Sequence, residues 1–156
     1  QTFYKKRVSF TKSNVFYGLD AFKELEKMVP DLLTDSPAGR EQCRKLHNDI
    51  FILYITRKLQ AFYFHQYLEE DRKGEEEKLK IENIEKSNLL TYLTLLLSDY
   101  EKVLFLIMKN SVKWSKENVS NITFSLDSIR KKEEGYGKSL MELYESRKGD
   151  CDEISI

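Results

Sequence analysis

Apolar residues recur along most of the chain at steps of three and four positions, the spacing of one face of an α-helix. The first such stripe predicts a helix over about residues 14–28, with Ser13 as its N-cap and Pro30 at its end. Residues 1–12 show no clear period. We expect them to form an arm that is strand-like, a short helix or disordered.

A second, longer stripe follows the turn residues between positions 31 and 39. Ser36 followed by Pro37 is typical of a helix start, because proline fits the first turn of a helix. The pattern predicts a helix over about residues 37–72. In its centre, residues 50–55 are apolar on all sides rather than on one, so we expect the fold to cover this stretch on several sides.

Two more helices are predicted after the acidic segment 69–77. The third begins between residues 75 and 88 and shows a clear stripe from Leu89 to Ile107. The fourth follows a break at residues 110–116 and carries a heptad seam with one polar member. The seam consists of Val119, Ile122, Leu126, Ile129, Glu133, Tyr136, Leu140 and Leu143. The pattern leaves open whether this seam packs inside the chain or against a second chain.

These elements predict an all-α fold with a single domain over residues 1–156. Long helices joined by short connections pack antiparallel, so we expect an elongated antiparallel bundle of three long helices. The shorter N-terminal helix should lie across one end or side, and residues 147–156 should form a frayed tail. The most apolar region, residues 89–108, contains Asp99, Glu101 and Lys102, which favours a buried helix over a membrane span.

Composition narrows the candidate functions. The chain has 26 basic and 26 acidic residues, and this balance argues against a protein that coats nucleic acid. Cys43 and His47 are four positions apart on one helix face, but the sequence offers no second pair with which they could hold zinc. His47 and His65 lie about 27 Å apart along the predicted helix. The sequence therefore predicts no catalytic residue, no metal site and no cofactor.

Aromatic residues give the main indication of function. The chain has nine Phe and nine Tyr, more than a narrow bundle is expected to bury. Aromatic side chains off the main helical stripes often anchor protein interfaces. We therefore predict a non-catalytic interaction module or assembly subunit that binds a protein partner as a hetero- or homo-oligomer. The predicted contact residues are Phe51, Phe62, Tyr63 and Tyr67 on the second helix, and Phe3 and Tyr4 in the arm.

Two small basic clusters leave a nucleic-acid-contacting accessory protein open as a secondary function. Basic side chains among aromatic ones can grip phosphates and stack on bases. The candidate contacts to phosphate or to an acidic partner are Lys5, Lys6, Arg7, Arg40 and Arg44.

A secreted four-helix, cytokine-like ligand that binds a receptor is the principal alternative. Asn118 and Asn121 each begin a glycosylation sequon. Cys43 and Cys151 can pair in an oxidising compartment. The interaction-module hypothesis instead favours an intracellular location, cytoplasmic or nuclear.

One helix pair resembles a known family. Residues 40–62, REQCRKLHNDIFILYITRKLQAF, place basic residues before and after an aliphatic core. Residues 88–108, NLLTYLTLLLSDYEKVLFLIM, form a long helix with a tyrosine near its end. This succession is similar to the helical domain of GINS replication-complex subunits. The resemblance implies a scaffold subunit of a replicative helicase assembly, without catalysis of its own.

Overall fold

The structure is a computed structural model that describes the backbone of residues 7–9, 15–71 and 77–154, and the side chains of residues 18–66 and 88–145. The described part is an all-α bundle, which confirms the predicted fold class. Its helices are α1 (Gly18–Leu32), α2 (Pro37–Asp71), α3 (Glu77–Val112) and α4 (Lys116–Ile154). The α4 helix thus includes most of the segment predicted as a tail.

The first helix begins later than predicted. Residues 15–17 are β-branched or aromatic and form a short strand, β2 (Val15–Tyr17), which pairs antiparallel with β1 (Arg7–Ser9). The helix starts at Gly18, whose φ of 57° is in the left-handed region that glycine reaches without a steric penalty. The predicted start near residue 14 is therefore wrong, and Ser13 lies outside the described residues.

The predicted end of this helix is also wrong, since α1 passes through Pro30. Proline removes one helical hydrogen bond. The chain nevertheless closes one more turn, in which the N–H of Leu33 donates to the Val29 carbonyl at 2.9 Å. Val29 and Leu33 are both buried, and their packing holds this turn in helical geometry.

The α3 helix is central, because it contacts both α2 and α4 along their lengths. The Tyr54 hydroxyl of α2 donates to Glu101 of α3 at 2.7 Å. The α1 helix lies antiparallel along the first part of α4. Arg130 of α4 bonds Glu26 at 3.1 Å, and the indole N–H of Trp114, just before α4, donates to the Leu33 carbonyl at 2.8 Å.

The heptad seam of α4 packs inside the chain. Its members are buried, apart from Leu140, which is half-buried against the same core. The seam therefore meets the apolar faces of α3 and α1 rather than a second chain. This observation resolves the alternative that the sequence left open.

The centre of α2 differs from its prediction. The sequence predicts that residues 50–55 are covered on several sides. In the structure Ile50 and Tyr54 are buried, whereas Phe51, Ile52 and Ile55 are exposed. Each of these three side chains keeps more than a third of its surface exposed, so the expectation of coverage on several sides is wrong within the described part of the chain.

The turn into α2 depends on Gly39. Ser36 caps the helix as its sequence position predicts, and its Oγ accepts from the N–H of Gly39 at 3.0 Å. A Cβ atom on Gly39 would lie 1.9 Å from the Thr34 carbonyl oxygen. Backbone would have to move to accommodate it, because the obstacle is not a flexible side chain.

We expect Gly39→Ala to lower the free energy of unfolding by roughly 1–3 kcal/mol, the usual cost of overpacking. Urea denaturation followed by circular dichroism measures this change. Arg40→Ala is the matched control, because Arg40 is exposed and lies 3.9 Å from Asp35. The control should change stability by less than about 0.5 kcal/mol. Equal midpoints for the two variants would contradict the close approach of Gly39 and Thr34.

Candidate protein-interaction surface

An apolar stripe runs along the outer side of α2. We call it the α2 stripe. It comprises Phe51, Ile52, Ile55, Leu59, Phe62 and Tyr63, all of them exposed. At 100° per residue, these positions fall within a sector of about 120° and extend for about 18 Å along the helix. Leu59 and Phe62 are 65% and 62% exposed, values unusual for such large apolar side chains on adjacent turns.

The core-facing side of α2 is held by a buried ion pair. Arg57 donates from Nε and Nη2 to the two carboxylate oxygens of Glu133 on α4, at 2.9 and 2.6 Å. The Tyr100 hydroxyl of α3 donates to the same carboxylate at 2.7 Å. Arg57 is 1% exposed, and Glu133 and Tyr100 are fully buried. Three helices are thus joined through one carboxylate.

Two further side chains complete this network. Gln60 Oε1 accepts from Arg57 Nη1 at 2.6 Å and from the Tyr136 hydroxyl at 3.0 Å. The Arg57 guanidinium lies 4.8 Å from the centre of the Tyr136 ring, in cation–π geometry. Burial is the largest single influence on the pKa of Arg57 and lowers it, but the hydrogen bonds to Glu133 together with the charges of Glu133, Tyr100 and Tyr136 outweigh burial, so the net shift is upward. The guanidinium therefore stays charged.

This network determines which side of α2 faces outward. Rotating α2 by one residue would carry Arg57 through 100° away from Glu133 and leave two buried charges unpaired. The opposite side of the helix therefore keeps one orientation, and it is the side that carries the α2 stripe. The stripe is an ordered surface on a fixed helix.

Three of the predicted partner-binding residues lie in the α2 stripe, namely Phe51, Phe62 and Tyr63. Sequence reasoning missed Ile52, Ile55 and Leu59, although the spacing 52, 55, 59, 62 was a helical signal. Other predicted contacts are outside the described residues or have undescribed side chains: Phe3, Tyr4, Lys5, Lys6, Arg7 in β1 and Tyr67 in α2. Their roles stay predictions.

The predicted basic residues of α2 lie at its N-terminal end and are paired with acids. Arg44 donates from Nε and Nη2 to Glu41 at 3.1 and 2.5 Å, and Arg40 approaches Asp35. The Arg44 hydrogen bond lowers the pKa of Glu41, and the same bond raises that of Arg44. A phosphate would have to compete with these carboxylates, and the phosphate-binding role of Arg40 and Arg44 stays a prediction.

Cys43 and His47 border a groove of about 490 Å³ between α2 and α3. The Cys43 thiol is buried, 3.5 Å from Nδ2 of Asn110, and burial raises its pKa. The His47 ring stacks on Phe51 with its centre 6.3 Å away. Among the described side chains, no three of the types His, Cys, Asp or Glu lie close enough together to hold a metal ion.

Cys43 and Cys151 lie too far apart to form a disulfide within one chain. Asn110, next to Cys43, accepts from the N–H of Ser115 at 3.1 Å, so Cys43 lies level with the start of α4. Cys151 is near the other end of α4, about 50 Å further along the helix. Bridged cysteines need Cα atoms within about 7 Å. The pairing considered from the sequence is therefore wrong for a bridge within the chain.

The two glycosylation sequons differ in access. Asn118 is buried in the first turn of α4, where its N–H donates to the Ser115 hydroxyl at 3.3 Å. Asn121 is exposed. A glycan on Asn118 would have to displace core packing, so only Asn121 is sterically open to this modification.

Among the described helices, none combines the length and apolar character that a membrane span requires. Comparison with protein-family models, with curated proteins and with solved structures gave no match. The fold and surface together define an all-α bundle with an ordered, exposed apolar stripe. The resemblance to GINS subunits stays a prediction.

Proposed function

We propose that the protein is a non-catalytic interaction module or assembly subunit that binds a protein partner through the α2 stripe. The observation that carries this proposal is the exposure of six large apolar side chains on one sector of a fixed helix. Aromatic anchors such as Phe62 and Tyr63 contribute most strongly to interfaces when they are buried on binding. A helix already held in place by its core loses little conformational freedom when it binds.

A narrower role as a subunit of a replication complex rests on a different argument. It depends on the similarity of residues 40–62 and 88–108 to the helical domain of GINS subunits. A scaffold subunit needs helix faces that pack against neighbours, and the α2 stripe would be such a face.

We expect the double variant Phe62→Ser/Tyr63→Ser to bind its partner at least tenfold more weakly while keeping the wild-type fold. Both rings are exposed, so their removal leaves no cavity, whereas truncating two interface anchors costs about 2 kcal/mol or more of binding. The measurement is quantitative co-purification of the tagged full chain from the cells that make it, together with a thermal melt of each variant.

Phe124→Ser is the matched control, because Phe124 is 74% exposed on α4, away from the stripe. It should retain the partner. Unfolding of the double variant would place Phe62 and Tyr63 in the core, and unchanged capture would remove the α2 stripe from the interface. Either result would contradict the proposal.

A further inference from the structure

We infer that the partner of the α2 stripe is a second copy of this chain, bound antiparallel along α2 about a two-fold axis level with residue 57. This inference rests on the proposed function, because it requires the stripe to be a contact surface. A two-fold dimer uses the same patch on both chains, so the patch must be complementary to itself. The stripe meets this condition.

The stripe residues are placed symmetrically about position 57. In an antiparallel pair centred there, each residue lies opposite the one at an equal distance on the other side of the centre. Aromatic meets aromatic at the two ends, aliphatic meets aliphatic in the middle, and one mixed aliphatic and aromatic pair lies between them. The facing residues are Phe51 with Tyr63, Ile52 with Phe62, and Ile55 with Leu59.

The polar residues beyond the stripe extend the same symmetry. Asn48 and Gln66, both exposed and both amides, lie at equal distances from position 57 and in the middle of the same sector. Glu69 follows Phe51 by 18 residues, which is five helical turns, so its position continues the sector of the stripe. The symmetric pairs thus extend from Ile55 with Leu59 at the centre to Asn48 with Gln66 beyond the ends of the stripe.

Charge favours the antiparallel direction. Symmetry about position 57 sets Arg44 against Glu70 and Lys45 against Glu69 at both ends of the pair. A parallel pair would instead set the basic ends together and the acidic ends together. Arg44 already pairs with Glu41, but that pair is exposed and exchanges readily for a second carboxylate.

The expected affinity is modest. One helix pair is smaller than a standard protein interface, so we expect a dissociation constant on the order of micromolar to tens of micromolar. We expect the mass of the full chain, measured by sedimentation equilibrium in low salt from about 1 to 200 µM, to rise from 18.5 kDa towards twice that value.

Two charge-reversal variants test the direction of the pair. Arg44→Glu/Lys45→Glu and Glu69→Lys/Glu70→Lys each place like charges opposite each other at both ends of an antiparallel dimer. We expect each variant alone to dissociate at least tenfold more readily than the wild type. An equimolar mixture should dimerise as well as the wild type, because every opposed pair is then of opposite sign.

The control is Lys131→Glu/Lys138→Glu, which makes the same change in charge as Arg44→Glu/Lys45→Glu at two exposed positions of α4. It should dimerise like the wild type. Ile55→Ser/Leu59→Ser removes the apolar centre of the interface and should give an 18.5 kDa monomer at every concentration. Thermal melts of each variant confirm that the monomer is folded.

A wild-type chain that stays monomeric to about 200 µM overturns the inference. If Phe62→Ser/Tyr63→Ser still loses a captured protein in that case, the proposed function stands and its partner is a different protein. A dimer unaffected by the charge reversals and by Ile55→Ser/Leu59→Ser also overturns it, because such a dimer uses another surface.

Discussion

Glu133→Ala is expected to lower the free energy of unfolding by about 3–5 kcal/mol, the usual result of removing one partner from a buried ion pair. The substitution leaves the Arg57 guanidinium buried, 1% exposed, without the carboxylate that neutralises it. It also removes the hydrogen bond that the Tyr100 hydroxyl donates to this carboxylate. The cost of an uncompensated buried charge exceeds that of the small cavity left by the shortened side chain.

Urea denaturation gives the size of this effect, and Glu134→Ala is its control. Glu134 is the next residue on α4, but it is exposed and lies 3.5 Å from Lys138. Exposed pairs of this kind contribute about 0–1 kcal/mol, so the control should unfold close to the wild type.

The double variant Arg57→Met/Glu133→Leu distinguishes the stability that the ion pair contributes from the cost of burying its two charges. Removing both charges removes the cost of taking them out of water, so we expect the double variant to be more stable than Glu133→Ala alone. A double variant that is less stable than Glu133→Ala would show that Arg57 stabilises the fold through its contacts with Gln60 and Tyr136.

The buried network around Arg57 and Glu133 also determines which substitutions can test the role of the α2 surface. Among the described side chains of residues 51–63, Arg57 is the only charged one that is buried. Substituting Arg57 therefore changes both the stability of the fold and the surface of α2. Substitutions within the α2 stripe leave the network intact. Loss of binding without loss of stability is therefore the result that assigns the stripe a role in recognition.

The long helices could be predicted from the sequence because their apolar stripes are long and regular. The predicted α2 start at residue 37 matches the structure, where Ser36 caps the helix. The α4 seam also packs as its period predicts, with Glu133 as its polar member. The partner of Glu133 could not be predicted, because Arg57 lies 76 residues earlier and nothing local marks their contact.

Short and irregular features were not predictable in the same way. The strand β2 has three residues, too few for a period, and the same residues also fit the helical stripe that follows. The apolar run at residues 50–55 is ambiguous for another reason. A helix that is apolar on all sides is covered either by its own chain or by a partner, and the sequence does not distinguish these two cases.

Alkaline pH should destabilise the fold through Tyr136. Burial raises the pKa of Tyr136 from 10.0 to about 12, with the Glu133 charge adding to the effect and Arg57 opposing it. Between these values the unfolded chain releases the phenolic proton and the folded chain retains it. The free energy of unfolding therefore falls as the pH rises from 10 to 12. The full difference is roughly 3 kcal/mol.

Urea denaturation at pH 9 and pH 11.5 tests this effect in the wild type, Tyr136→Phe and Tyr144→Phe. Tyr136→Phe loses the hydrogen bond to Gln60, so it should be less stable than the wild type at pH 9 by about 1 kcal/mol. It should then lose about 2 kcal/mol less than the wild type on going to pH 11.5, because it carries no phenolic proton at this site. Tyr144→Phe removes a hydroxyl from an exposed ring and should follow the wild type. If Tyr136→Phe and the wild type lost equal stability, the Tyr136 hydroxyl would be in contact with water in the folded chain, and the buried network would be open at its α4 end.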